Sequence, residues 1–184
     1  EVSEPDEVAL AVADLDPVAG QRSRFNVTVA NGDDAALSNV RLDLGGDADV
    51  EDADRVSASL DAGSQTVHTF RGTFPEAGPA TLDATVTYRT ARGTTRRIQR
   101  SVDVDVDPAD LDAELTAEVD DSDGSSGIRA TLTEYGNVEL RSVQVRAVAD
   151  GRTVARALVP DVPAEGSRTV TLPGRTVPPG EVRL

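Results

Sequence analysis

Cysteine, methionine, tryptophan and lysine are all missing from this 184-residue chain, and histidine occurs once, at His68. Without cysteine there is no disulfide framework and no thiolate metal site. One histidine with no cysteine also rules out the nitrogen- and sulfur-rich ligand sets of zinc, iron–sulfur and copper centres. A Ser–His–acid hydrolase would need His68 as its base beside a nucleophile elbow, and no such motif surrounds it. The chain therefore reads as no enzyme, and His68, in a strand-like stretch, as a structural or surface residue. No run of about 18 apolar residues occurs, so no transmembrane span is expected. The first residues, Glu1 to Asp6, are acidic and do not form a signal sequence; if the protein is exported, its signal and anchor lie outside the given chain.

Aromatic residues are also scarce. Three Phe and two Tyr make up 3% of the chain. Carbohydrate platforms need exposed rings, and most of these five fall in apolar strand patterns that serve a core. Tyr135, in a predicted loop, is the exception. The hydrophobic share is 38% and comes mainly from Val, Ala and Leu, so the core is built from small branched side chains.

What is abundant is negative charge. Asp and Glu number 33 against 18 basic residues, all of them Arg, for a formal net charge of −15. Nucleic-acid binding needs a basic face toward phosphates and is not expected. The densest Arg group, Arg92, Arg96, Arg97 and Arg100, has no aromatic neighbours and is expected to pair with the many carboxylates. The excess of acids and the lack of Lys point to molar salt. There the Debye length falls to about 3 Å, and carboxylates hydrate the surface without strong mutual repulsion. Lys, with its long apolar stem, is the cation such a surface avoids. The Asp, Ala, Val, Arg and Gly bias suggests a halophilic archaeon.

The chain repeats itself at an offset of 103 residues. Phe25, Val29, Leu37 and Val40 fall opposite Ile128, Leu132, Leu140 and Val143, and the Gly63–Val67 turn falls opposite Gly166–Val170. Two copies are read, 1–107 and 108–184, with Pro108 at the joint. Each copy alternates apolar and polar residues with period 2, as in Phe25, Val27 and Val29 against Asn26 and Thr28. No helix-period stretch competes; Asp47 to Leu60 reads as a loop or a weak edge strand. The expected fold class is all-β: two tandem immunoglobulin-like β-sandwich domains, the second lacking its last strand or strands. A chain cut short of the domain boundary explains such a gap, and so does a strand supplied by another chain.

One pattern carries a family likeness. An apolar strand ends in Asn-Gly (Phe25 to Gly32), followed by Leu-x-x-Val-x-Leu (Leu37 to Leu42) and a Leu-x-Ala-Gly-Ser turn leading into an apolar strand (Leu60 to Val67). This resembles the CARDB-type domain, a cell-adhesion-related immunoglobulin-like module of archaeal and bacterial surface proteins. The second copy departs from it, with Glu134-Tyr135 in place of Asn31-Gly32 and Val162 to Gly166 in place of the first turn. The resemblance implies a non-catalytic extracellular or cell-surface module, adhesive, spacer or surface-assembly in role, with protein partners at the cell surface or self-association. The alternative is an accessory domain pair of a larger secreted enzyme. No catalytic residue and no cofactor come with it.

Two carboxylate groups have the oxygen chemistry of a weak calcium site: Asp47, Asp49 and Asp52 with Glu51 and Asp54, and Asp120, Asp121 and Asp123 beside Gly124. The second group lacks the preceding Asp and the closing Glu of a calcium loop. In a chain with 33 acids such clusters arise by composition, and solvated loops are the favoured reading of both. Asn26-Val27-Thr28 is a glycosylation sequon, and strand alternation turns Asn26 outward.

Overall fold

The computed structural model describes residues 8–120, 127–149 and 151–173. All regular structure among them is β-strand. The chain divides into two compact units, Glu1–Pro108 and Ala109–Leu184.

Unit 1 contains β1 (Val8–Ala13), β2 (Arg22–Asn31), β3 (Leu37–Gly46), β4 (Asp49–Glu51), β5 (Asp54–Leu60), β6 (Gln65–Thr73), β7 (Gly78–Arg89) and β8 (Thr95–Val106). They form two four-stranded antiparallel sheets, ordered β1-β2-β6-β4 and β5-β3-β7-β8. The period-2 pattern sets the inner faces: Leu82, Ala84, Val86 and Tyr88 of β7 are buried, and the threonines and Asp83 between them are not. All three Phe join this core, with Phe25 and Phe70 stacked at 6.0 Å between ring centroids. One core filled from both sheets makes a β-sandwich. Its neighbour order is that of immunoglobulin-type sandwiches: β1, β2, β6 and β4 side by side in one sheet, and β3 flanked by β5 and β7, with β8 beyond, in the other. The stretch expected as a loop or weak edge, Asp47 to Leu60, forms two strands on opposite sheets. The chain turns between them at Asp52, whose φ is +46°.

Unit 2 contains β9 (Ala113–Asp120), β10 (Gly127–Glu134), β11 (Leu140–Ala149), β12 (Arg152–Val162) and β13 (Ser167–Pro173). They form a three-stranded sheet, β13-β10-β9, and a two-stranded sheet, β11-β12. Its core is Ile128, Ala130, Leu132, Val145, Ala147, Val159, Val162 and Leu172, with no aromatic residue.

The units share local detail that hydrophobic patterning alone would not impose. In β3, Asn39 has φ +50° and drops out of the pairing with β5, which passes from Ser38↔Ser59 to Val40↔Ser57. In β11, Ser142 has φ +55° and drops out of the pairing with β12, which passes from Arg141↔Asp161 to Val143↔Val159. Each leaves its residue out of the ladder without shifting the register on that side, and the two lie 103 residues apart. The Asn31 N–H donates to Ser64 O, and the Glu134 N–H to Gly166 O, both at 2.8 Å. The strands of unit 2 thus correspond in order to β1, β2, β3, β5 and β6 of unit 1. Among the described residues none corresponds to β7 or β8.

Candidate functional site

In unit 1 the edge of β3 away from β5 is covered by β7 from Ser38↔Arg89 to Gly46↔Leu82, and β8 continues the sheet. These two strands place Leu82, Ala84, Val86, Tyr88, Val104 and Val106 over the core. In unit 2 the matching strand, β11, pairs only with β12 among the described residues. Its inner side chains, Val145, Ala147 and Ala149, are buried beneath the opposite sheet, while the backbone of its second edge has no strand partner among those residues.

The opposite sheet shows the same opening. Leu10 of β1 pairs with Val29 and is 4% exposed; Leu115 of β9 pairs with Leu132, the counterpart of Val29, and is 36% exposed. Val119, farther along the same face of β9, is 73% exposed. Leu115, Ala117 and Val119 lie opposite the buried Leu132, Ala130 and Ile128, so they belong to the inner face of the sheet by alternation. Among the described residues, then, no strand covers the second edge of β11, and the inner apolar face of β9 is exposed in unit 2.

Glu134 closes one end of this face. It is fully buried at the end of β10. Its Oε1 accepts hydrogen bonds from the Asp112 N–H at 3.2 Å and the Gly136 N–H at 3.0 Å. Position 136 must be glycine, because a Cβ there would run into the Asp110 carbonyl oxygen. That close approach brings Tyr135 N–H to Asp112 O and Asn137 N–H to Asp110 O, which fixes the carboxylate. Glu134 Oε2 is buried and has no hydrogen-bond partner among the described residues. In the sequence, Glu134 stands out only as a departure from the Asn-Gly pattern.

The residues singled out from the sequence lie elsewhere. His68 is half-buried on β6, edge-on to Phe70 at 6.5 Å, and Arg55 lies over the Phe70 ring at 4.6 Å. Burial pushes the His68 imidazole below its ordinary pKa, and the charge of Arg55 adds to the shift. Asn26 does lie on the outer face of β2, but its amide is engaged: Nδ2 donates to Asp14 at 2.7 Å and Oδ1 accepts from Thr69 at 2.8 Å. Asp47, Asp49 and Asp52 are not gathered. Asp47 accepts the Thr81 N–H at 2.8 Å, Asp49 lies in β4, and no group of three or more ligating side chains forms among the described residues. Asp121 and Asp123 lie outside the described residues; of Asp120 only the strand backbone is described. Tyr135 is exposed and donates to Glu114 at 3.2 Å, and that carboxylate raises the phenol's pKa. Arg92, Arg96, Arg97 and Arg100, expected to pair with carboxylates, are not in the ion pairs formed among the described residues. Those pairs are Arg22–Glu51, Arg41–Asp43, Arg41–Asp54 and Arg141–Glu139. Across the β7–β8 hairpin, Arg96, Arg97 and Arg100 face Tyr88, Thr87 and Ala84, so no acid stands directly opposite them. No described helix is long and apolar enough to cross a membrane.

No family model and no curated protein matches the chain. It is similar to several solved structures. One is the YadV chaperone, at 11% identity over 89% of this chain and 84% of that one, with a TM-score of 0.34. Another is the Salmonella enterica SafA pilin in complex with the SafB chaperone, at 10% identity over 94% and 87%, TM-score 0.36. A third is a protein of unknown function from Porphyromonas gingivalis W83, at 16% over 89% and 81%, TM-score 0.38. The expectation of an adhesive, spacer or surface-assembly module, or of an accessory pair of a secreted enzyme, is corrected: the neighbours of stated function are chaperones.

Proposed function

We propose that the chain is a non-catalytic protein-binding module whose second unit takes an extended segment of another polypeptide as an added strand along β11. The observation that carries this is the contrast between β3, paired along its length with β7, and β11, which has no strand on the same edge among the described residues. Strand addition supplies main-chain hydrogen bonds for affinity, and alternate side chains fill the inner face for specificity. The two units are read as copies of one immunoglobulin-like domain, with the partner's segment standing in unit 2 where β7 stands in unit 1. One of the similar structures is a pilin held by a chaperone; that association belongs to those proteins. The net charge of −15 and the absence of lysine suit work in molar salt, where binding has to rely on apolar fit and backbone pairing rather than screened charge.

The test is a peptide copying the 12 residues Gly78–Arg89, with a scrambled peptide of the same composition as control. Amide hydrogen exchange of the full chain is followed in both. The β7 copy is expected to slow exchange along Leu140–Ala149 and leave β3 unchanged. No added protection on β11 at saturating peptide refutes the reading.

A further inference from the structure

Glu134 occupies the place in β10 that Asn31 occupies in β2: each ends its strand, and each N–H donates to the turn before the next paired strand. Asn31 is fully satisfied. Its Nδ2 donates to the carbonyls of Ala35 at 3.0 Å, Leu60 at 3.1 Å and Asp61 at 3.0 Å, and its Oδ1 accepts the Asp33 N–H at 3.1 Å. A carboxylate has no N–H to give to such carbonyls. Glu134 instead accepts twice through Oε1 and keeps Oε2 buried without a donor. A buried acceptor without a donor is costly, and native structures seldom leave one unmet.

The position of Glu134 says where the donor would come from. Glu134 shares the inner face of β10 with Ile128, Ala130 and Leu132. In unit 1 the strand that covers the corresponding region reaches the start of β3 with Arg89 opposite Ser38. The last inward side chain of that strand is Tyr88, only 2% exposed and bearing a hydroxyl. A segment added to β11 in the same direction brings its C-terminal inward side chain toward the end of the sandwich that Glu134 closes.

Building on the strand-addition reading, we propose that unit 2 selects an extended segment with alternating small apolar residues and a hydrogen-bond donor, a hydroxyl or a cation, at its last inward position, where Glu134 Oε2 accepts it. The exposed inner face of β9 sets the apolar part of the specificity: Leu115, Ala117 and Val119 offer a surface to Leu, Ala and Val of the kind β7 carries. Glu134 sets the register, since a slip of one residue turns the donor to the outer face.

The test varies the peptide first and then the protein. Three versions of the Gly78–Arg89 peptide are compared by fluorescence anisotropy against the full chain in about 3 M KCl, where charge is screened: the natural one, Tyr88→Phe and Tyr88→Arg. Hydrogen bonds to charged groups lead us to expect the Tyr and Arg peptides to bind about ten- to a hundredfold more tightly than the Phe peptide. The Glu134→Gln chain, whose amide can still accept the two backbone N–H groups, turns an N–H₂ toward the incoming donor. On it the Arg peptide is expected to fall to the level of the Phe peptide or below. If the Phe peptide binds wild type as tightly as the other two, the role of Glu134 is overturned and strand addition stands. If none of the three binds, strand addition fails as well.

Discussion

Leu10 and Leu115 are the same residue type in the same place, on the first strand of each unit and facing equivalent partners, Val29 and Leu132. They differ in what covers them. Leu→Ala removes three carbons, and at about 0.8 kcal/mol per buried carbon the transfer loss at a sealed site is about 2.4 kcal/mol. At Leu10, 4% exposed, a cavity term adds to this and brings the expected cost of Leu10→Ala to about 3–4 kcal/mol. Leu115 is 36% exposed, so roughly two thirds of the transfer term applies, water fills the space left, and Leu115→Ala should cost about 1.5 kcal/mol. The assay is guanidinium unfolding at fixed high salt. Tyrosine fluorescence serves as the probe, because Tyr88 is buried in unit 1 and Tyr135 lies exposed in unit 2. With the β7-copy peptide bound, Leu115 becomes covered, and Leu115→Ala should weaken peptide affinity about fivefold or more. Equal stability losses at the two leucines, together with unchanged peptide affinity, would show that unit 2 is closed and remove the ground for strand addition.

Asn26→Asp sets a carboxylate beside Asp14, now 2.7 Å from the Asn26 amide, and is expected to cost about 1 kcal/mol at neutral pH, less in high salt, read as a drop in the denaturation midpoint. Val27 is fully buried, so Val27→Asp should leave unit 1 unfolded by circular dichroism while unit 2 keeps its β11 protection. The only histidine supplies a pH test. The folded-state pKa of His68 is lowered, so between that value and its unfolded value of about 6.5 the unfolded chain binds more protons, and stability falls as pH drops through the window. Thermal melts from about pH 7.5 to 5, which spans that window, should show wild type losing more stability than His68→Gln; parallel curves would refute the burial assigned to His68. Finally, raising KCl from about 0.1 to 3 M should raise the melting temperature as self-repulsion among the surface carboxylates is screened, and an unchanged value would sink the high-salt reading.

Strands were legible because alternation survives in a chain poor in aromatics. Phe25, Val27 and Val29 are buried where period 2 puts them, and Leu82, Ala84, Val86 and Tyr88 likewise. The stretch from Asp47 to Leu60 was less legible. Its pattern is broken by Asp52, where the chain leaves one sheet for the other, and a three-residue strand offers too few positions to show a period. The irregularities at Asn39 and Ser142 left no readable signal, because a polar residue with positive φ in a strand looks like any other outward residue. Glu134 was hidden for a related reason. Its burial depends on Gly136 approaching Asp110, 26 residues away along the chain, and no local pattern reports that contact. The carboxylates from Asp47 to Asp54 do not converge for the opposite reason: in so acidic a chain, closeness in sequence is common, while convergence of three side chains needs a loop folded for it.

The edges of unit 2 differ in a way that bears on which one receives a partner. Free strand edges invite pairing, and proteins block them with charge, proline or shortness. The outer edge of β9 carries Glu114 and Glu118, β12 carries Pro160, and β13 is seven residues long and ends in Pro173. From Val143 to Ala149, a stretch whose pairing with β12 shifts register between Ala147 and Val148, β11 has no proline and no acidic residue; its one charge, Arg146, is on the outward side of the alternation. An edge left unblocked beside an apolar face would be an aggregation hazard if nothing regularly occupied it. Placing Pro or Asp at Gln144, an outward position, should therefore abolish peptide protection of β11 while leaving the β10–β13 pairing intact. If peptide protection survives Gln144→Pro, the segment binds elsewhere and β11 is not the acceptor.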